Sequence, residues 1–215
     1  MRLWWADLVS QLGTQVTVIA LPLVAILTLH ASPVELGALT ACEYAAFLVL
    51  GLPAGAWVDR MRRRPVLVAA DLGRALVLAS VPLAHWAGVL TVAQLLVVAL
   101  VAGALTVFFD VAYQSYLPSL VETGRLVEGN AKLEIARSAG YVAGPAGGGG
   151  LVQLLTAPVA LLADAASFVG SALFLLTIRR AEAPPAAGAH GPVRREVAEG
   201  LRHVSGHPLL RAQAA

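Results

Sequence analysis

Six apolar stretches, near residues 4–29, 34–58, 65–86, 90–113, 132–155 and 158–178, take up most of this chain, and each is long enough to cross a hydrocarbon core. A crossing needs about 20 residues at 1.5 Å of rise per residue. Lipid offers no partner to a backbone N–H or C=O, so each such segment must close its hydrogen bonds within itself. The stretches predict an all-α membrane protein with six transmembrane helices in one bundle.

Punctuation separates them: His30 to Pro33, Asp59 to Pro65, Ala87-Gly88, Pro118 to Asn130, and Thr156 to Pro158. The connections after helices 1, 3 and 5 are short and hold no Lys or Arg, whereas those after helices 2, 4 and 6 hold nearly every basic residue. On this reading all fifteen Lys and Arg fall on one side. Basic residues near span ends are retained in the cytoplasm, which predicts a multi-pass protein of the cell (inner) membrane with a cytoplasmic N-terminus.

Composition agrees and excludes several classes. Only 13% of the 215 residues are charged and 58% are hydrophobic, against about 25% charged in an ordinary soluble domain. The net charge of +2 does not point to nucleic acid, because the basic residues lie in loops beside apolar spans rather than on one soluble face. Cys42 is the single cysteine, which rules out an intrachain disulfide and a thiolate cluster. His30, His85, His190, His203 and His207 are scattered outside the spans, so no metal site is expected. The run Gly147 to Gly150 has no Lys-Ser or Lys-Thr after it to hold phosphate, and no catalytic signature is present, so neither an enzyme nor a cofactor is predicted. Asp7, Gln11 and Gln15 interrupt the place where a signal peptide would be apolar.

Residues 1–180 are expected to form the bundle and residues 181–215 a cytoplasmic linker. In the linker, Val193, Val197, Leu201 and Val204 recur at helical spacing among Arg194, Arg195, Glu196, Glu199 and Arg202, the pattern of an amphipathic helix on a membrane surface. Such a linker is expected to lead toward a missing C-terminal half.

Between helices 2 and 3 stands Gly55-Ala56-Trp57-Val58-Asp59-Arg60-Met61-Arg62-Arg63-Arg64, which resembles the loop signature of the major facilitator superfamily. That pattern has a Gly where this chain has Arg62. Gly55, Asp59, Arg60, Arg63 and Arg64 are the expected conformational latch: glycine lets helices approach, Asp accepts hydrogen bonds, and the arginines anchor the loop in the cytoplasm. Helix 5 carries Gly140-Tyr141-Val142-Ala143-Gly144-Pro145-Ala146-Gly147-Gly148-Gly149, similar to the fifth-helix signature of the drug and proton antiporter branch. Gly140, Gly144, Gly148 and Gly149 are expected at a close helix contact and Pro145 at a kink.

Stretches 70–76, 109–118 and 164–168 resemble efflux members of the same superfamily, including its siderophore-export branch, and the likeness runs over about residues 4 to 211. The resemblance implies the N-terminal half of that fold. The Gly-Pro stretches of helices 2 and 5 lie at equivalent depth in helices that run oppositely, which fits two inverted three-helix repeats. Drug antiporters of the family usually carry an Arg within helix 4, and this chain has none between Arg74 and Arg125.

Ionisable groups inside spans are costly in lipid unless they face a partner or a wet cavity, which singles out Asp7, Glu43, Asp110 and Asp164. On helix 1, Asp7, Ser10, Gln11, Thr14 and Thr17 form one polar stripe, expected to line a central cavity. Thr106 and Asp110 with Tyr113 and Gln114 make a comparable face on helix 4, and Thr40 and Glu43 with Tyr44 and Phe47 another on helix 2. The expected substrate and proton set is Asp7, Gln11, Thr14, Glu43, Thr106 and Asp110. Glu43 lies deepest, either as an exchangeable proton site or as a neutral group hydrogen-bonded between helices. Asp110 and Asp71 are expected to pair with the Arg60 to Arg64 cluster and with Arg74; the role of Asp164 is left open.

These features predict proton-coupled export of a small amphipathic or lipophilic compound by alternating access. The implied partners are that small-molecule substrate, protons, the lipid membrane, and either a C-terminal six-helix half or a second copy of the chain, with no nucleic acid. A non-transporting membrane scaffold or regulatory subunit, or an inactive truncated transporter fragment, is the alternative.

Overall fold

The structure is a computed structural model and describes residues 2–120 and 126–178. Among these residues there are six helices and no strand: α1 (Arg2–Leu29), α2 (Pro33–Val58), α3 (Arg63–Trp86), α4 (Val92–Leu120), α5 (Leu126–Leu155) and α6 (Ala157–Leu176). The expected linker and amphipathic helix over 181–215 lie outside the described residues.

Local chemistry sets the helix ends. Ser32 caps α2 through a capping box, its hydroxyl accepting from the Glu35 N–H while the Glu35 carboxylate accepts from the Ser32 N–H at 2.7 Å. At the end of α3, Gly88 takes φ 69°, and the Gly88 and Val89 N–H groups bond to the carbonyls of His85 and Ala84 in a Schellman arrangement. The turns after α1 and α5 use the same left-handed step with ordinary side chains, at His30 (φ 52°) and Thr156 (φ 78°). Arg62, where the family pattern has glycine, sits at φ −69°, which any residue adopts.

Five helices are long and apolar enough to cross a membrane, and α5 is not among them. Its 30 residues have the length, but its run of glycines contributes little hydropathy. The sixth span is thus not established by composition. Helix α4 also runs to Leu120, beyond the expected end near 113 and into the connection expected from Pro118, and Tyr116, past that end, is a buried core residue.

Helix α1 packs against α5 and α6, α6 against α3, α3 against α4, and α4 against α2. Two apolar cores result. One joins Leu21 and Val24 of α1, Leu78 and Val81 of α3, Leu95 of α4 and Leu161 of α6; the other joins Ala6, Leu67, Phe109, Tyr116 and Leu175. The outer surface is apolar too, with Val34, Leu48, Val142 and Leu154 each more than 80% exposed. A surface of this kind suits lipid rather than water.

Candidate functional site

Between the two apolar cores lies a layer of polar side chains. Its hub is Arg74, midway along the 24-residue α3 and almost fully buried. One turn earlier on the same helix, Asp71 is fully buried and forms an ion pair with the Arg74 guanidinium. Arg74 also donates to the Ser10 hydroxyl of α1 at 3.3 Å and to the Thr106 hydroxyl of α4 at 3.5 Å. The guanidinium is held between two aromatic faces, with Cζ 4.5 Å from the Phe109 ring centroid and 4.1 Å from that of Phe168. Arginine suits this place because its planar cation stacks on rings while its edge donates hydrogen bonds. Four helices therefore converge on one side chain.

A second buried carboxylate, Asp164 of α6, accepts from the Thr17 hydroxyl of α1 and from Ser167 at 3.1 Å. It stands within electrostatic reach of Arg74, as does Asp110 of α4. Gly13 makes the α1–α6 approach possible at this level: a Cβ there would run into the Ser167 hydroxyl and the Asp164 carboxylate.

The expected pairing of Asp71 with Arg74 is made, deep inside the bundle. One expectation is corrected. The polar stripe of α1 does not all line an open cavity, because Ser10 and Thr17 turn inward to α3 and α6, where hydroxyl donors are needed beside buried charge. Arg74 was expected only as a partner of Asp71, and its contacts with α1, α4 and α6 were not foreseen. The spacing Asp71-x-x-Arg74 within an otherwise apolar span is the signal that marks it, because both charges are too deep to reach water and must meet on one helix face.

The remaining expected site residues are dispersed. Asp7 is buried on α1, Gln11 is half-buried opposite Gly140 of α5, and the Thr14 hydroxyl donates to the Ser10 carbonyl at 2.9 Å. Thr106 and Asp110 join the Arg74 layer. Glu43 is half-buried on α2 beside Gly103 of α4, where a Cβ would come within 3.0 Å of the Glu43 carbonyl oxygen. Among the described residues its carboxylate has no hydrogen bond or ion pair, so the structure does not join it to Arg74.

In the expected latch, Asp59 caps α2 and lies 3.8 Å from Arg63, while Arg64 reaches the end of α6. Arg60 is half-buried in the same turn. Gly55 faces open space, so the close approach expected there is not made within this bundle. On α5, Gly144 fits against the Gln15 side chain and Gly148 against the α1 backbone, where a Cβ would lie 3.2 Å from the Val16 Cα. A Cβ on Gly140 would make only ordinary contact at 3.8 Å, Gly149 faces open space, and Pro145 sits exposed inside α5.

Long apolar helices closed around an arginine and two carboxylates define a multi-pass membrane protein with charge in its interior, the pattern of proteins that move ions or solutes. The chain belongs to the Major Facilitator Superfamily, whose family model matches residues 3–215. It is similar to the multidrug efflux pump Tap of Mycolicibacterium fortuitum, with 30% identity over 220 residues that cover 98% of this chain and 53% of Tap. The chain spans about half the length of that relative.

Proposed function

We propose that the chain is the N-terminal half of a secondary transporter that exports a small amphipathic or lipophilic compound in exchange for protons, and that it is not an enzyme. The likeness to an efflux pump over nearly the whole chain carries this reading. Alternating access needs a second bundle to rock against; a C-terminal half, or a second copy of this chain, fills that role.

The packing pattern supports two inverted three-helix repeats. Exchanging α1 with α4, α2 with α5 and α3 with α6 turns the α1–α6 contact into the α4–α3 contact and the α2–α4 contact into the α5–α1 contact, and keeps α3–α6 in place. On this reading α5 is the sixth span, with its glycines closed against α1, and the bundle sits in the cell membrane with its N-terminus in the cytoplasm.

Glu43 is the carboxylate we assign to proton exchange, since it is partly accessible and has no partner among the described residues. Asp59 and the arginines near it hold the cytoplasmic rim in one conformation. The Arg74 layer ties α1, α3, α4 and α6 together across the middle of the bundle.

The test is movement of a fluorescent lipophilic cation across proteoliposomes that contain the complete transporter under an imposed pH gradient. Transport that stops when a protonophore collapses the gradient is expected. Binding of the cation without any movement favours a non-transporting scaffold.

A further inference from the structure

We infer that Asp164 is a proton-binding site in its own right, holding its proton as long as α1 is packed on α6. Two fully buried carboxylates, Asp71 and Asp164, share the interior with one buried guanidinium. Asp71 is the one in contact with Arg74. Among the described residues, the hydrogen-bond partners of the Asp164 carboxylate are neutral hydroxyls, those of Thr17 and Ser167. An excess negative charge sealed among apolar helices is costly, and a proton on the carboxylate without a contacting cation removes it.

The local chemistry accommodates a carboxylic acid. Thr17 donates to one oxygen of Asp164, and the Ser167 hydroxyl, 3.1 Å from the other, accepts the acid proton as readily as it donates. Helix α3 contributes Asp71 and Arg74, and α4 contributes Asp110 within reach of Arg74. Helix α1 carries buried Asp7, two turns before Gly13, and the polar Gln15. On α5 the described titratable side chains Glu134 and Tyr141 are exposed. Among the described residues, the cation within electrostatic reach of Asp164 is Arg74, and Arg74 is already in contact with Asp71.

Burial also sets when the proton leaves. Asp164 has no exposed surface, and Gly13 closes α1 onto it. Water reaches the carboxyl only when α1 parts from α6. The site therefore ties proton release to separation of these two helices, independently of Glu43.

The inference deepens the proton-coupling reading above, yet its test reads the carboxyl group directly and needs no substrate. Infrared spectra of the complete protein in lipid, recorded in light and heavy water, are expected to show a protonated-carboxyl C=O band that exchanges slowly. Asp164→Asn removes that band. Thr17→Val shifts its frequency by deleting the hydrogen-bond donor, which reports on the site even where Asp164→Asn does not fold. Absence of a slowly exchanging band in the unsubstituted protein, or its persistence in Asp164→Asn, overturns the inference. A transporter that shows the band but lacks gradient-driven transport contradicts only the coupling reading.

Discussion

Arg64, in the first turn of α3, donates through Nε to the Leu175 carbonyl at 3.0 Å and through Nη2 to the Leu176 carbonyl at 2.6 Å. A cation placed on the last carbonyls of α6 adds a donor where the regular helical hydrogen bonds run out and complements the negative end of its dipole. Arg64→Ala is expected to cost about 1–2 kcal/mol, and Arg64→Lys to recover only part of that because an ammonium lacks the fork. Thermal unfolding of the three proteins in detergent checks the ranking; equal midpoints contradict the clamp.

The glycines of α5 divide by position. Gly144→Ala drives a Cβ into Gln15, which is itself fixed on α1, and an overpacked contact of this kind costs about 1–3 kcal/mol. Gly149→Ala meets nothing and gains helix propensity, so it is expected to be neutral or stabilising by up to about 1 kcal/mol. Unfolding midpoints of the two variants should move in opposite directions or differ by several degrees, and equal losses contradict the α1–α5 contact.

Removing Arg74 leaves Asp71 buried without its counter-charge. Arg74→Met is expected to destabilise the bundle by about 3–5 kcal/mol, whereas the double change with Asp71→Leu is expected to be much milder. A double-mutant cycle on unfolding free energy measures this coupling. Additive effects of the two substitutions contradict the ion pair at the centre of the polar layer.

Much of this architecture was legible in the sequence because the period and length of apolar stretches are set by the bilayer. Five helices answer that pattern directly, and the ends of α1, α2 and α3 fall within two residues of their expected places. Where tertiary packing overrides local composition the pattern failed. Helix α4 continues past its expected end near 113, with Tyr116 filling a core, and Arg74, expected beside Asp71, also meets α1, α4 and α6. Ser10 and Thr17 were legible as polar positions on one face of α1, but their partners on α3 and α6 depend on which helices meet, which spacing along one helix does not encode. Glu43 stood out in both views, first by depth and then because its carboxylate has no partner among the described residues.

The proposed orientation rests on the charge pattern and is open to direct test. In a Cys42→Ala background, Met61→Cys in the turn after α2 and Ala87→Cys in the turn after α3 place single thiols at opposite ends of the bundle. A membrane-impermeant reagent added outside intact cells is expected to label Ala87→Cys and spare Met61→Cys. Labelling of both, or of Met61→Cys alone, contradicts a cytoplasmic N-terminus.

The central claim, that this bundle couples proton movement to export, rests on a titratable group reaching water from within the membrane. Glu43→Gln preserves size and hydrogen-bonding capacity but cannot ionise. The decisive measurement is transport of a fluorescent lipophilic cation in vesicles with an imposed pH gradient, comparing the complete transporter with its Glu43→Gln and Asp110→Asn variants. The account predicts that Glu43→Gln still binds and exchanges the cation but no longer responds to the gradient, while Asp110→Asn remains driven by it. Undiminished gradient-driven transport by Glu43→Gln contradicts the account.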